Sequence, residues 1–274
     1  MDERVTIALE DGVADVRLAR ADKMNALDPA MFAALAAAIE RLAGEPRLRA
    51  VVLSGEGRGF CAGLDMAAMA AGGSGLALGE RTRGASNDVQ YVCTGWRALP
   101  VPVIAAAHGV AFGGGCQLLA GADVRVAHPD TRLAIREVHW GLVPDMGGYA
   151  LWRGSVREDV LRELVYTARE LDAAEAQACG LVTYLDPEPR ERALAIARAI
   201  AARSPDAVRA AKRLFALAAD ADAPAILAAE SAAQLALLRS PNQAEAVRAN
   251  LEKRAPRFSD EVGGGPRPSP QSSS

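Results

Sequence analysis

The sequence predicts an α/β protein in which strands alternate with helices over the first two-thirds of the chain and a helical block closes it. Two observations support this prediction. Short runs of β-branched and aliphatic residues alternate with segments of helical periodicity in the first part of the chain. From Val156 onward, helical patterns follow one another almost without interruption.

The composition is that of a folded globular protein, because half of the 274 residues are apolar and 24% are charged. A net charge of −3 offers no positive field for nucleic acid, and no apolar stretch is long enough to span a bilayer. The start, Met1-Asp2-Glu3, lacks a signal-peptide pattern. The four cysteines show no metal-ligand or C-x-x-C spacing. We therefore expect a cytoplasmic protein that binds neither nucleic acid nor a membrane and holds no metal ion.

The first elements can be placed from turn and capping signals. Apolar alternation on either side of Asp11-Gly12 predicts a β-hairpin. Asp28-Pro29 opens a helix as an N-cap followed by proline, and Gly44 ends it. The later elements are predicted as strands at 49–54, 101–107, 123–127 and 132–135, and as helices at 87–99 and 116–120, after Asp172, after Ser204 and after Ser240.

Three parts of the chain are expected to differ in organisation. Residues 1–203 form the core domain, and residues 204–261 form a C-terminal helical region. The tail, 262–274, is rich in Gly, Pro and Ser and is predicted to be disordered. Within the core, the glycine-rich segment 71–86 lacks a clear period and is interpreted as a mobile surface insertion, part of a helix-loop lid.

Two glycine-rich segments carry the main chemical signal: 59–65 (GFCAGLD) and 107–117 (AHGVAFGGGCQ). Each follows a buried strand, and its glycines let the backbone approach a ligand closely. The second segment runs into a helix, whose first N–H groups lack partners within the helix. Two such amides that converge on one point would stabilise a carbonyl oxygen that becomes negative during a reaction. The glycine spacing fits neither a phosphate loop nor a dinucleotide fingerprint.

Together these segments resemble the enoyl-CoA hydratase/isomerase family, also called crotonases, from about Val5 to Phe258. The resemblance rests on several motifs in the same order, namely 18–27 (LARADKMNAL), 59–65, 104–123, 136–138 (REV), 141–148 (GLVPDMGG), 251–254 (LEKR) and Phe258. It implies a ClpP/crotonase-like spiral of β-β-α units with a helical C-terminal trimerisation region, assembled as a homotrimer or a dimer of trimers.

The resemblance also implies roles for particular residues in binding an acyl-CoA thioester. The amides of Ala62 and Gly114 would form an oxyanion hole for the thioester carbonyl. The coenzyme A moiety, which is part of the substrate, would run along Lys23, Met24, Ala26 and Asp65, and be reached by Lys253 and Phe258. No separate cofactor is implied.

The predicted proton-transfer groups depart from the hydratase pattern. Hydratases of this family carry one carboxylate after the Gly-Gly-Gly-Cys turn and a second about twenty residues later. Here the first position is Gln117, which cannot take up a proton, and the second is Glu137. One base suffices to move a double bond, because it can remove a proton and return it elsewhere. We therefore place enoyl-CoA isomerisation above hydration, in which Gln117 would position the water.

Asp145 keeps further alternatives open. The stretch from Arg136 to Asp145 resembles the dienoyl-CoA isomerase branch, where an Asp eight residues after the Glu shares the proton shuttle. Asp145 would equally serve as the N-cap of a following helix. Two other classes of function remain. One is a non-catalytic member that binds acyl-CoA, which the replacement of a catalytic carboxylate by Gln117 would indicate. The other is a different reaction on the same fold, such as decarboxylation or thioester hydrolysis.

Overall fold

The computed structural model describes residues 3–72 and 78–260. Within them, the chain forms two compact units, one that ends at Ala201 and one that begins at Ala202. The first unit holds all nine strands of the described residues, and the second unit holds helices. The predicted order of elements, strands with helices followed by a helical block, is confirmed.

A six-stranded sheet forms the centre of the first unit, in the order β1-β2-β3-β4-β6-β9. Its first pair is the predicted hairpin, an antiparallel pair whose turn residues Asp11 and Gly12 both have positive φ. The remaining neighbours are parallel. The strands are β1 (Val5–Glu10), β2 (Val13–Leu18), β3 (Ala50–Gly55), β4 (Val103–Ala107), β6 (Val124–Ala127) and β9 (Tyr184–Leu185).

Alternation along the central strands divides the core into two clusters, one on each face of the sheet. In β3, Val51 and Leu53 belong to the larger cluster, which includes buried residues of the helices α1 (Pro29–Ala43), α3 (Asp88–Ala98) and α4 (Gly114–Ala120). Val52 and Ile104 belong to the smaller cluster, which packs against α8 (Pro189–Ala201). Both faces of the sheet are therefore covered by helices.

A three-stranded sheet, in the order β5-β7-β8, forms the second layer of strands. Its members are β5 (Val110–Phe112), β7 (Arg132–Ala134) and β8 (Glu170–Asp172). The chain passes from the larger sheet to the smaller one between β4 and β5 and again between β6 and β7, and it returns between β5 and β6 and between β8 and β9. The two steps into the smaller sheet are short turns, whereas the two return steps pass through α4 and through a helix at Ala173–Ala178. The turn between β5 and α4 carries the glycines that the sequence singled out.

Capping side chains explain where several helices begin. Asp28 accepts a hydrogen bond from the Met31 N–H at the start of α1, and Asn87 with Gln90 forms a capping box at α3. Asp172 caps the next predicted helix in the same way. The other helices of the first unit are α2 (Met66–Gly72), α5 (Gly148–Trp152), α6 (Glu158–Thr167) and α7 (Ala173–Ala178).

The second unit contains three helices within its described residues: α9 (Pro205–Ala218), α10 (Ala223–Leu237) and α11 (Pro241–Leu251). Each has proline in its first turn, and Asp222 and Ser240 cap α10 and α11 through their side chains. Asp222 was not among the predicted helix starts. Several large apolar side chains of this unit are exposed, namely Phe215, Leu227, Leu235, Leu238, Val247 and Leu251.

The structure differs from the sequence prediction mainly in short elements. The strands β5, β8 and β9 were missed because two or three residues give too short a pattern to read. Helix α4 begins at Gly114, two residues before the predicted start. In segment 71–86, residues 71–72 end α2, 73–77 lie outside the described residues, and 78–86 are irregular apart from an Arg83–Ser86 bridge. The predicted disordered tail also lies outside them.

No helix among residues 3–72 and 78–260 combines the length and the apolar character needed to cross a bilayer.

The central position of β3 leads to a stability prediction. Leu53 is fully buried in the larger core cluster, so Leu53→Ala removes apolar contacts and leaves a cavity. We expect a loss of about 2–5 kcal/mol in the free energy of unfolding, measured by denaturant titration. Leu78→Ala is the matched control, because its side chain is 53% exposed. A loss at Leu53 no larger than at Leu78 would contradict the described packing.

Candidate active site

A single cleft in the first unit brings together both glycine-rich segments and the predicted base. It opens beside the turn between β5 and α4 and the 3-10 turn Glu137–Trp140 that follows β7. Its lining consists of 62–64, Met66, 112–114, Arg136, Glu137, Trp140 and Leu142. Phe112 and Trp140 contribute aromatic side chains to it.

The segment 61–65 is held in place by backbone hydrogen bonds on both sides. On one side, Ala62 N–H donates to Met24 O at 2.9 Å and Leu27 N–H donates to Gly63 O at 2.8 Å. On the other side, Cys61 exchanges two backbone hydrogen bonds with the β5 segment. The segment is therefore a short extended piece fixed between two neighbours, and the direction of each of its amides is determined.

This pairing corrects the predicted oxyanion amide. Because the Ala62 N–H donates to Met24 O, it is not free to bind a substrate oxygen. The amide two residues later, Leu64 N–H, has no acceptor among the described residues, and Leu64 lines the cleft. The free donor of this segment is therefore Leu64 N–H, with Ala62 as part of the wall.

The second predicted amide lies where the sequence placed it. Gly114 is the first residue of α4, and its N–H has no acceptor in the described part of the chain. A Cβ on Gly63 would lie 3.5 Å from Gly114 N and 2.6 Å from Phe112 O, so the two segments touch at this point. Gly63 has a φ of +89°, which favours glycine. The close approach puts the Leu64 and Gly114 amides on one cleft.

Glu137 presents one carboxylate oxygen to the protein and keeps the other unpaired. Its residue is buried, with 7% relative exposure. Oε1 accepts a hydrogen bond from Gln117 Nε2 at 2.7 Å, whereas Oε2 has no hydrogen-bond partner among the described residues. Since Glu137 lines the cleft beside Gly113 and Gly114, an unpaired carboxylate oxygen is available beside the free amides.

The surroundings of Glu137 raise its pKa above the ordinary glutamate value. Burial is the main cause, because a charged carboxylate loses its hydration, and the negative charge of Asp145 acts in the same direction. The backbone N–H of Glu137 and the hydrogen bond from Gln117 oppose the shift, because they stabilise the ionised form. The net effect makes Glu137 a stronger base than an exposed glutamate.

Gln117 is fully buried on α4 and its amide orientation is fixed by three partners. Its Oε1 accepts from the N–H groups of Met146 at 2.9 Å and Gly148 at 3.1 Å, and its Nε2 donates to Glu137. Both lone pairs of the carbonyl oxygen are therefore used. Gln117 can donate a hydrogen bond toward the carboxylate, but it has no acceptor left for a water molecule.

Asp145 lies near Glu137 but outside the described lining of the cleft. Its carboxyl is half-buried, and burial raises its pKa. The alternative that Asp145 caps the following helix is wrong, because the N-cap of α5 is Gly147. Asp145 therefore acts on Glu137 through charge, as the raised pKa of Glu137 indicates.

The predicted coenzyme A residues of the first unit lie in the segment 23–26 and at Asp65. Lys23 is exposed, Met24 is half-buried and Ala26 is buried. Asp65 forms an ion pair with Arg20 at 2.8 Å and accepts from Ala68 N–H at the start of α2. Its pKa is lowered by these two hydrogen bonds. Asp65 thus supports the local backbone, and coenzyme A contact by these four residues stays a prediction.

Lys253 and Phe258 belong to the second unit, after α11. Lys253 is exposed and has a φ of +51°, and Phe258 is half-buried. Their predicted contact with coenzyme A stays a prediction.

Sequence reasoning missed two groups of the cleft. The Leu64 amide could not be identified from the sequence, because the hydrogen bonds of the neighbouring segments decide which N–H of segment 61–65 stays without an acceptor. The alternating directions of successive N–H groups along an extended segment were the one signal that the sequence offered. Arg136 was noted only as part of a motif. A charged residue directly before the base is visible in the sequence, but its presence on the cleft depends on the turn that follows β7.

Comparisons with known proteins identify the family of this chain. A family model described as enoyl-CoA hydratase/isomerase matches residues 8–261. Enoyl-CoA hydratase EchA19 of Mycobacterium tuberculosis is 33% identical over 248 residues, which cover 89% of this chain and 91% of that protein. Human mitochondrial methylglutaconyl-CoA hydratase is 30% identical over 264 residues, or 91% of this chain and 74% of that protein.

Among solved structures, a putative enoyl-CoA hydratase from Streptomyces coelicolor A3(2) superimposes with a TM-score of 0.85 at 33% identity, covering 95% of each chain. This similarity confirms the crotonase-like fold that the sequence motifs implied. With a family model that spans nearly the whole chain and a matching fold, the chain belongs to the enoyl-CoA hydratase/isomerase family.

Proposed function

We propose that this protein moves the double bond of an enoyl-CoA thioester, with Glu137 as the single base and the Leu64 and Gly114 amides as the oxyanion hole. The observation that carries the proposal is the hydrogen bonding of Gln117. It orients the Glu137 carboxylate and has no remaining acceptor of its own. The cleft therefore offers one proton acceptor beside two free N–H donors.

The proposed reaction begins at the thioester. Its carbonyl oxygen accepts hydrogen bonds from the two amides, which stabilise the enolate that forms when a C2 proton leaves. Loss of one donor of such a hole typically costs roughly 3–4 kcal/mol of transition-state stabilisation. The amides are fixed by the surrounding backbone, so little reorganisation accompanies the change in charge.

Glu137 then acts twice. The ionised Oε2 removes a proton from C2 of a 3-enoyl thioester, and the electrons of that C–H bond form a dienolate. The C2=C3 double bond forms as the dienolate collapses, and the protonated Glu137 returns its proton to C4. Atoms and charges balance without a second group, and the reaction needs no metal or redox cofactor, since coenzyme A is part of the substrate.

Hydration of a 2-enoyl thioester is the second candidate, and the hydratase names of the relatives favour it. In this reaction Glu137 would take a proton from water while the water oxygen adds to C3, and would return that proton to C2 of the enolate. Gln117 could orient that water only by donating a hydrogen bond from its NH₂ group, because its carbonyl oxygen already accepts from the N–H groups of Met146 and Gly148. This requirement places hydration below isomerisation.

Two further parts of the proposal rest on other residues. A dienoyl variant of the same isomerisation rests on the eight-residue spacing of Glu137 and Asp145 and would require Asp145, which lies outside the described lining, to share the proton. The exposed apolar side chains of the second unit, such as Leu227, Leu235 and Leu251, support association of that unit into a homotrimer or a dimer of trimers.

The first test is a substrate panel of 2-enoyl-, 3-enoyl- and 3,5-dienoyl-CoA, followed by mass and by absorbance, with the wild type and Glu137→Gln. We expect a shift of the double bond without a change of mass, reduced roughly 10²- to 10⁴-fold in the variant. Addition of water to 2-enoyl-CoA as the faster reaction would reject isomerisation as the main activity. Binding without any turnover would indicate a non-catalytic member, and formation of a free acid with free coenzyme A thiol would indicate thioester hydrolysis.

Glu137→Gln also carries a stability expectation that serves as its control. Because the folded pKa of Glu137 is raised, the ionised group is disfavoured by folding, and it lowers stability as the pH rises above the unfolded pKa. Gln keeps the acceptor for Gln117 and removes the charge. We expect the melting temperature of the variant at neutral pH to equal or exceed that of the wild type. A clearly lower value would attribute the lost activity to misfolding.

The pH dependence of the reaction follows from the same shift. Only ionised Glu137 can remove the proton, so kcat/KM falls on acidification with a midpoint above the ordinary glutamate range. Stopped-time assays of double-bond shift across the acid range, in wild type, measure this midpoint. A midpoint at or below the usual glutamate value would show that Glu137 is not the titrating base or is not buried during the reaction.

Gln117 can be tested with two opposite changes. Gln117→Leu leaves the N–H groups of Met146 and Gly148 buried without an acceptor, so we expect a loss of about 2–4 kcal/mol in unfolding free energy. Gln117→Glu restores two acceptors but places a second carboxyl beside Glu137, which raises the acid-limb midpoint further. It also supplies the second carboxyl that hydration lacks, so the ratio of hydration to isomerisation should rise. An unchanged ratio and midpoint would contradict the proposed role of Gln117.

A further inference from the structure

We propose that Arg136 determines specificity by binding a carboxylate carried on the acyl chain, so that the preferred substrates are enoyl-CoA thioesters of dicarboxylic acids. This inference rests on the proposed function of the cleft and adds the substrate class. It is carried by the place of Arg136 on the cleft, by its hydrogen bonds, and by the charges around it.

Arg136 lines the same cleft as the two amides and Glu137. Its guanidinium carbon lies 4.6 Å from the ring centroid of Phe112, which also lines the cleft. The side chain is 38% exposed, so its charge remains accessible. Among the described lining residues, Arg136 is the one cation, and the nearby side chains of Phe112, Trp140 and Leu142 are apolar.

The ion pair of Arg136 leaves most of its donors unused. Its Nη2 donates to Glu170 Oε1 at 2.6 Å, and the other oxygen of Glu170 is taken by Arg132. Within the described residues, no acceptor lies on the Nε or Nη1 of Arg136. The group of two arginines and one glutamate carries one net positive charge. The Arg136 guanidinium on the cleft can therefore donate hydrogen bonds to a second carboxylate.

The apolar surroundings make this cation selective. A neutral acyl chain that fills the cleft would strip water from the Arg136 guanidinium without replacing the lost hydrogen bonds, which costs free energy. A chain that bears a carboxylate replaces those water contacts with charge-assisted hydrogen bonds. Both effects favour acyl chains that carry a carboxylate over neutral acyl chains of the same length, and the selectivity is the sum of the two free-energy differences.

The phosphates of coenzyme A are a second negatively charged group that Arg136 could bind. A matched pair of substrates distinguishes binding of the phosphates from binding of the acyl carboxylate. The mono-CoA thioester of 3-hexenedioic acid and its ω-amide have the same length and the same coenzyme A moiety, and differ in the distal charge. Their 2-enoyl isomers form the corresponding pair for hydration. Any contact between Arg136 and the phosphates therefore cancels in the ratio of the two kcat/KM values.

We expect the wild type to favour the acid over the amide by roughly 10- to 100-fold in kcat/KM, the range of a charge-assisted hydrogen bond. Arg136→Gln should bring this ratio close to one, and Arg136→Lys should keep part of it as a point charge. Arg132→Gln is the matched control. Arg132 shares the contacts to Glu170 and to the Phe112 ring, at 5.7 Å from its centroid, but does not belong to the described lining.

Four outcomes would overturn the proposal, and the first three concern the ratio of the two kcat/KM values. These three are a wild-type ratio near one, an unchanged ratio in Arg136→Gln, and an equal fall in Arg132→Gln, which would assign the effect to the charge of the whole group. An Arg136→Gln variant with KM raised equally for acid and amide would assign Arg136 to the coenzyme A phosphates, which also overturns it.

A binding measurement distinguishes failure of this inference from failure of the proposed function. The saturated analogues, adipoyl-CoA and its ω-amide, cannot undergo double-bond chemistry, so their Kd ratio by calorimetry needs no turnover. We expect the same preference for the acid, lost in Arg136→Gln and kept in Arg132→Gln. No turnover of any enoyl thioester with this preference intact would reject the activity alone, whereas equal Kd values would reject the role of Arg136.

Discussion

The geometry of the cleft depends on the side-chain amide of Gln117. Three separate segments meet there: the helix α4, the turn that carries Glu137, and the loop that leads into α5. Every one of its hydrogen bonds is made in a fully buried place, where an unpaired polar group would cost about 1–3 kcal/mol. If the amide turned over, its NH₂ group would face the N–H donors of Met146 and Gly148, so only one orientation satisfies all partners.

This constraint determines what Glu137 can do. A carboxyl group in place of Gln117 would have to share a proton with Glu137 across 2.7 Å, because two ionised carboxylates at that distance repel each other strongly. The amide donor avoids that conflict and stabilises the ionised form of one oxygen. The other oxygen, Oε2, is left buried and unpaired, a situation that proteins tolerate mainly where a substrate supplies the partner.

Much of this arrangement was visible in the sequence. The hairpin at Asp11-Gly12, the helix cap at Asp28 and the glycine segments depend on local conformational preferences, and these were predicted. Glu137 was found because its spacing from Gln117 follows a family motif. The choice between the Ala62 and Leu64 amides was not accessible, because it depends on hydrogen bonds from residues 24–27, which are distant in sequence. The two N–H groups that donate to Gln117, those of Met146 and Gly148, are distant in the same way, about thirty residues further along the chain.

Arg136 directly precedes Glu137 in the chain, so a cation and a proposed base lie on the same cleft. A guanidinium that faced the base would lower the pKa of Glu137 and weaken it. The ion pair with Glu170 and the ring of Phe112 hold the cation instead, and the pKa of Glu137 remains raised by burial and by Asp145. Because the side chains of consecutive residues have different partners, the cleft can carry the positive charge that the proposed recognition needs without weakening Glu137 as the proposed base.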